Sequence, residues 1–151
     1  MPFLDQQPAN VRLVSLVLRR FDPDLDLATV LALCLAEGWA SLPADPERAR
    51  RALTAPGVTT VVAVAADSVV GGFAQIMSDG EIQAFLVNLL VTPALRQQGV
   101  GRALIREAFG LAGGQRVDLL TDTAEDFYEQ WPHRRFTGFR LYPNHPPGRE
   151  G

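Results

Sequence analysis

The sequence contains no lysine: all fourteen of its basic residues are arginines. We read this as the composition of a GC-rich genome, so a single arginine says little about function. Cysteine is nearly absent as well. Cys34 stands alone among Leu31, Leu33 and Leu35, which excludes a disulfide framework and makes it a small buried hydrophobe rather than a nucleophile. A basic excess is missing too, since the net charge is −3 and the pI about 5.3, and this argues against a nucleic-acid partner. There is no long apolar run. The longest, Val58–Ala66, falls far short of the roughly 20 residues of a membrane helix. Met1–Asn10 has neither a basic start nor an apolar stretch, so no secretory signal is expected. These absences point to a soluble cytoplasmic protein with no membrane or nucleic-acid partner.

What is there is an ordinary globular composition, 47% hydrophobic and 21% charged over 151 residues, enough to bury a core without metal or disulfides. One domain is expected over 1–143, with a frayed Pro- and Gly-rich tail at 144–151. Val11–Leu18 is rich in β-branched residues and reads as a strand. Asp26 is placed to cap a helix running to Glu37, with Gly38 as its stop, and Asp45-Pro46-Glu47 opens a second helix. Val58–Ala65, Val69–Met77 and Glu81–Val91, separated by short Asp- and Gly-containing turns, form an antiparallel meander. Gly99–Ala112 is a long helical pattern stopped by Gly113-Gly114. Val117–Thr121 reads as an apolar strand buried on both faces, Thr123–Gln130 as a short helix and Gly138–Tyr142 as a last strand. The order is that of an α/β (α+β) domain, a mixed sheet with helices on both faces.

The informative segment is Leu89–Arg102, Leu-Leu-Val-Thr-Pro-Ala-Leu-Arg-Gln-Gln-Gly-Val-Gly-Arg. It runs from a strand, through a turn fixed by Pro93, into a helix start. Such a start carries unpaired backbone N–H groups and the positive end of the helix dipole. Gly99 and Gly101 let a bulky anion approach that backbone. The spacing is neither a P-loop nor a dinucleotide fingerprint.

Val91-x-Pro93-x-x-Arg96-x-x-Gly99-x-Gly101 resembles the acetyl-CoA-binding motif of the GCN5-related N-acetyltransferase (GNAT) family, Arg/Gln-x-x-Gly-x-Gly/Ala. The order that follows is similar to the family's: helix Arg102–Ala112, strand Val117–Thr121, then Phe127-Tyr128-Glu129 and a late Gly138-Phe139. The resemblance covers nearly the whole chain. It implies the acyl-CoA N-acyltransferase fold, mostly antiparallel, with a V-shaped splay between the fourth and fifth strands. It implies acetyl-CoA as acyl donor, no metal, and transfer of the acetyl group to a primary amine, on a small molecule rather than a protein. A homodimer is left open. The donor would be held by Leu89, Leu90 and Val91 along the pantetheine arm. Arg96, Gln97, Gln98, Gly99, Val100, Gly101 and Arg102 would lie around its pyrophosphate, and Arg106 lies one helical turn beyond Arg102. Tyr128 matches the family's tyrosine near the sulfur, where it would act as acid; packing beside Phe127 is its other reading.

The base is less legible. Relatives place a glutamate shortly before the equivalent of Val91, where this chain has Phe85, Leu86, Val87 and Asn88. Glu81 is ten residues away, about 33 Å along a strand. Asn88 is able only to position a water. Asp122 is the nearest carboxylate by this argument, with helix capping as its competing role, and a water relay is the default. An Asp122-Thr123 pair stands where relatives have asparagine, and Gln130–Thr137, with Trp131, His133, Arg134 and Arg135, lengthens the usual path from tyrosine to Gly-Phe. That insertion reads as a solvated loop, or as a contact to the cofactor's 3′-phosphate or the acceptor. Trp39, after Glu37-Gly38, is either an acceptor wall or core. The alternative to catalysis is an acyl-CoA-binding module without activity.

Overall fold

Asp22-Pro23 and Asp45-Pro46 open the first two helices in the same way. In this computed structural model, which describes residues 15–148, α1 (Pro23–Ala36) and α2 (Pro46–Thr54) each begin with an extended aspartate and a proline. Asp22 accepts from the N–H groups of Asp24 and Leu25 at 2.8 and 3.3 Å, and Asp45 from that of Arg48 at 3.1 Å. Proline has no N–H to leave unpaired in a first turn. The cap of α1 is therefore Asp22 and not Asp26, a correction to the sequence reading. Asp26 is 2% exposed. Arg19, in β1 (Val17–Arg20), donates to both its oxygens at 2.6 and 2.9 Å, and the Asp22 N–H donates at 2.8 Å. Burial pushes the Asp26 carboxyl up, but Arg19's hydrogen bonds and charge, with the Asp22 N–H, leave it below the usual carboxylate range. β1 is thereby pinned to the first turn of α1. Of the expected first strand, residues 11–14 lie outside the described residues.

The sheet of the first compact unit, which ends at Leu119, has the order β1-β2-β3-β4-β5. β2 (Val58–Val64), β3 (Val70–Ser78) and β4 (Gln83–Val91) form the expected meander. β5 (Arg116–Asp118) pairs parallel to β4, from Gln83↔Arg116 to Phe85↔Asp118. This mixed, mostly antiparallel sheet is the expected fold class. Val30, Cys34, Leu53, Val62, Phe73 and Leu90 meet in one buried cluster. Burial pushes the Cys34 thiol up to about 11, consistent with a core cysteine. Leu104, Ile105 and Ala108 of α3 (Val100–Ala112) are buried as well. A Cβ on Gly72 would lie 2.7 Å from the Leu90 carbonyl oxygen and 3.3 Å from Leu104 Cδ1, so α3 and β4 both close on bare backbone.

Two strand expectations fail. Instead of an apolar Val117–Thr121 buried on both faces, β5 is three residues long, with Arg116 and Asp118 exposed. Its one central valine cannot bury two faces. In the second unit, from Leu120, Gly138–Tyr142 joins no ladder, and Phe139 and Leu141 are 79% and 76% exposed. An alternating segment becomes a strand only where a neighbour takes its N–H and C=O groups. That unit contains the short α4 (Glu125–Glu129). Arg135 ion-pairs with both Glu125 and Glu129 of α4.

Candidate functional site

The start of β4 is fastened on every side. An Asp79 oxygen accepts from the N–H groups of Glu81, Ile82 and Gln83 at 2.8, 2.7 and 3.2 Å. These backbone donors, with a smaller contribution from the Arg116 charge, hold the Asp79 carboxyl below the usual range. Ser78 Oγ donates to the Gly113 carbonyl at 2.6 Å, and Arg116 Nε donates to Gln83 Oε1 at 2.6 Å.

The strand then changes character. Gln75 faces Asn88 while Ile76 faces Leu86, so Val87 is an extra residue, a β-bulge that bends the strand and increases its twist. The bulge comes two residues after the last β4–β5 pair. From Leu86 to Val91, about 20 Å of strand, β4 pairs with β3 on one side and, among the described residues, with no strand on the other. The pairing of β4 with β5 therefore ends at Phe85, leaving along the rest of β4 an edge of backbone N–H and C=O groups.

That edge leads into the glycine turn. Thr92 N–H returns to the Gly71 carbonyl at 2.8 Å, and Pro93–Leu95 make one 3-10 turn. Gln97 has φ +62°, a left-handed conformation that costs a non-glycine residue about 1 kcal/mol. Gly99, at φ +80°, is the N-cap of α3 and supplies no side-chain cap. The first helical bond is from Ala103 N–H to the Gly99 carbonyl, 3.0 Å, so the amides of Val100, Gly101 and Arg102 precede the intrahelical ladder. A Cβ built on Gly99 meets nothing within 4 Å. The space beside Gly99 is thus open, next to three forward-pointing amides at the positive end of a thirteen-residue helix.

Side chains of the turn point elsewhere. Arg96 Nε donates to the Val91 carbonyl at 2.9 Å and its outer nitrogen pairs with Glu37. Gln98 Nε2 donates to the Ala94 carbonyl at 3.1 Å. The Arg96 and Gln98 side chains are thus engaged with the chain itself. Asn88 Nδ2 donates to Gln75 Oε1 at 2.7 Å, and Gln75 in turn donates to the Ala52 carbonyl, so the Asn88 amide nitrogen is already engaged. Trp39 is 38% exposed and is therefore not the core residue that one reading of it required.

Tyr128 and Asp122 lie in the second unit. Asp122 is exposed and caps nothing: the N-cap of α4 is Ala124, whose N–H goes to Thr121 Oγ1 at 3.0 Å. Tyr128 packs edge-on against Phe127, centroids 4.9 Å apart, and burial pushes its hydroxyl up to about 12. In the insertion, His133 Nδ1 lies 2.6 Å from the Trp131 carbonyl oxygen and the Arg134 guanidinium sits 4.8 Å over the Phe136 ring. Among the described residues no group of three or more His, Cys, Asp or Glu is placed to hold a metal, and no helix is long and apolar enough to cross a membrane.

A family pattern described as acetyltransferase (GNAT) domain matches residues 56–131, which include β4, the glycine turn and α3. The chain belongs to the GNAT acetyltransferase family. Its fold is similar to that of a Deinococcus radiodurans R1 protein assigned as an acetyltransferase, at 28% identity and a TM-score of 0.70 over 85% of this chain and 88% of that one. A GNAT-family acetyltransferase of Streptococcus pneumoniae TIGR4 is 25% identical with a TM-score of 0.67, covering 86% of this chain and 99% of that one. An aminoglycoside acetyltransferase from an uncultured soil metagenomic sample shares the fold at 19% identity and a TM-score of 0.67, covering 87% and 97%. No curated protein matches.

Three features of this GNAT site were missed in the sequence reading. The Val87 bulge has no residue signature, because any residue tolerates the extra position. The left-handed Gln97 is not a glycine. The Glu37–Arg96 pair joins residues 59 apart, beyond any spacing rule.

Proposed function

We propose that this chain is a cytoplasmic N-acetyltransferase that moves the acetyl group of acetyl-CoA to a primary amine of a small molecule, by direct attack in a ternary complex. The observation that carries this reading is the unpaired β4 edge, Leu86–Val91, delivering the chain to the open amides of Val100, Gly101 and Arg102. The pantetheine arm carries amides that suit a strand edge, as a peptide does when it adds to a sheet, and a diphosphate suits the helix start. The acidic balance of the chain suits a cationic acceptor, and one neighbour in fold acts, by its name, on aminoglycosides.

The donor supplies an activated acyl group; the chain supplies position and hydrogen bonds. Attack by a neutral amine forms the C–N bond and places negative charge on the thioester oxygen. A backbone N–H at or beside Val91 receives that charge, a contribution of about 2.7–4 kcal/mol per donor. Collapse breaks the C–S bond, and the proton lost by nitrogen ends on sulfur. Tyr128 is the proposed hydrogen-bond donor to the departing sulfur. With its hydroxyl pushed up to about 12, above a free thiol's pKa of about 8.5, net proton donation from it is uphill. It acts best by passing its proton to sulfur while regaining the one released by nitrogen. That nitrogen proton reaches Tyr128 through water, with Asp122 as the candidate carboxylate to relay it.

A second reading, an acyl-CoA-binding module without turnover, is favoured by one observation: no carboxylate stands on β4, and the Asn88 amide nitrogen is engaged by Gln75. An amine panel with thiol detection separates the two. Release of free CoA with some amine supports the transferase. Tight acetyl-CoA binding with a flat panel supports the module, and absence of acetyl-CoA binding sinks both.

A further inference from the structure

The turn between β4 and α3 is held from outside itself. Arg96 reaches back with Nε to the Val91 carbonyl, 2.9 Å, while its outer nitrogen pairs with Glu37. Glu37 is the C-cap residue of α1, its N–H 3.2 Å from the carbonyls of both Leu33 and Cys34, and Cys34 is fully buried. Its backbone is therefore fixed to the core. Directly after it, Gly38 (φ +76°) turns the chain and Trp39 N–H returns to the Cys34 carbonyl at 2.9 Å. One guanidinium's breadth and two hydrogen bonds thus set the Glu37 carboxylate within about 8 Å of the Val91 carbonyl. On the other side of Arg96 stands Gln97 in its left-handed conformation. Such a residue persists where its surroundings over-determine it, and the anchored arginine next to it does so.

We propose that Glu37 is a positioning residue for the acyl donor: through Arg96 it holds the Thr92–Gly99 turn in the form that presents the α3 amides, and ties the end of α1 to the end of β4. This rests on the acetyl-CoA reading above. Glu37 touches neither donor nor reacting atoms; it acts through the guanidinium. The pair is half-exposed, with Arg96 at 47% and Glu37 at 24%, so its effect is moderate.

The test is calorimetric CoA binding and thermal melting of the full chain with Glu37→Gln, Glu37→Asp, Arg96→Gln and the Glu37→Gln/Arg96→Gln double variant. Glu37→Gln is expected to weaken CoA binding about fivefold, with the melting temperature nearly unchanged. Glu37→Asp is expected to recover part of the loss, and Glu37→Gln to add less than about twofold once Arg96 is replaced. Unchanged CoA affinity in Glu37→Gln overturns the proposal and leaves the acetyltransferase reading standing. A Glu37→Gln chain that unfolds, or loses affinity without rescue by aspartate, makes the residue structural and also overturns it. A wild-type chain that binds no CoA sinks this proposal and the proposed function together.

Discussion

The two ends of β4 solve the same problem in opposite ways. Each leaves a strand for a turn and so exposes backbone N–H groups that must find partners. At the start, Asp79 accepts from the amides of three successive residues, Glu81, Ile82 and Gln83, and β5 covers the outer edge. At the far end no side chain caps α3, Gly99 leaves the space beside it open, and among the described residues the outer edge pairs with no strand. One end carries its own carboxylate; the other, on the proposed function, takes the anion of a ligand. A backbone amide is structural or functional according to whether the chain itself supplies the acceptor.

The largest expected effect comes from closing the open end. Gly99→Val places a β-branched residue at φ +80°, where it is strained, over the space an anion would fill. CoA binding should fall at least about 100-fold by calorimetry; a loss under tenfold would mean that the amides are not the anchor. Next is Tyr128→Phe. If its hydroxyl serves the departing sulfur, kcat should fall about 100-fold while CoA affinity stays within about twofold. Because the Tyr128 hydroxyl is held up at about 12, the wild-type rate should show no alkaline limb from it below about pH 11. A descending limb near the ordinary tyrosine value would remove it from that role.

A smaller effect is expected at the fastened end. Asp79→Ala should lower the melting temperature by a few degrees and leave CoA affinity unchanged. The pH dependence has a definite sign. The folded carboxyl titrates below its unfolded value, so its stabilisation is complete above the unfolded pKa of about 3.9 and is lost as pH falls through the lower folded value. The gap in melting temperature between wild type and Asp79→Ala should therefore close below about pH 4. The smallest effect belongs to Gln97→Gly, which relieves left-handed strain and should change stability by less than about 1 kcal/mol, seen in urea titration. A large destabilisation would show that the Gln97 side chain is needed.

The open end of β4 was the most legible part of this chain, because glycine at a helix start and proline in a turn act locally and leave their mark in adjacent residues. The same holds for Asp45-Pro46. Asp22-Pro23 carries the identical signal, yet the helical spacing that begins at Leu27 points to Asp26 as the cap. Its actual partner, Arg19, comes from a strand that local spacing does not reach. β5 is shorter than its sequence suggests for a related reason: Val117, Leu119 and Leu120 are apolar enough for a strand, but the ladder with β4 ends at Phe85↔Asp118, two residues before the Val87 bulge. Gly138–Tyr142 shows the same limit, since alternation marks a candidate strand and only a partner makes one. The Glu37–Arg96 pair, between distant residues, was legible only in three dimensions.

The central claim is that the α3 amides beyond Gly99 hold the donor's phosphates. Amide chemical shifts of the wild-type chain titrated with CoA test it most directly. The account predicts that the largest changes fall on Gly99, Val100, Gly101 and Arg102, with a second set along Leu89–Val91, while Glu81, Ile82 and Gln83 stay still. Saturable binding that moves the Asp79 turn and leaves the Gly99 turn untouched would contradict it.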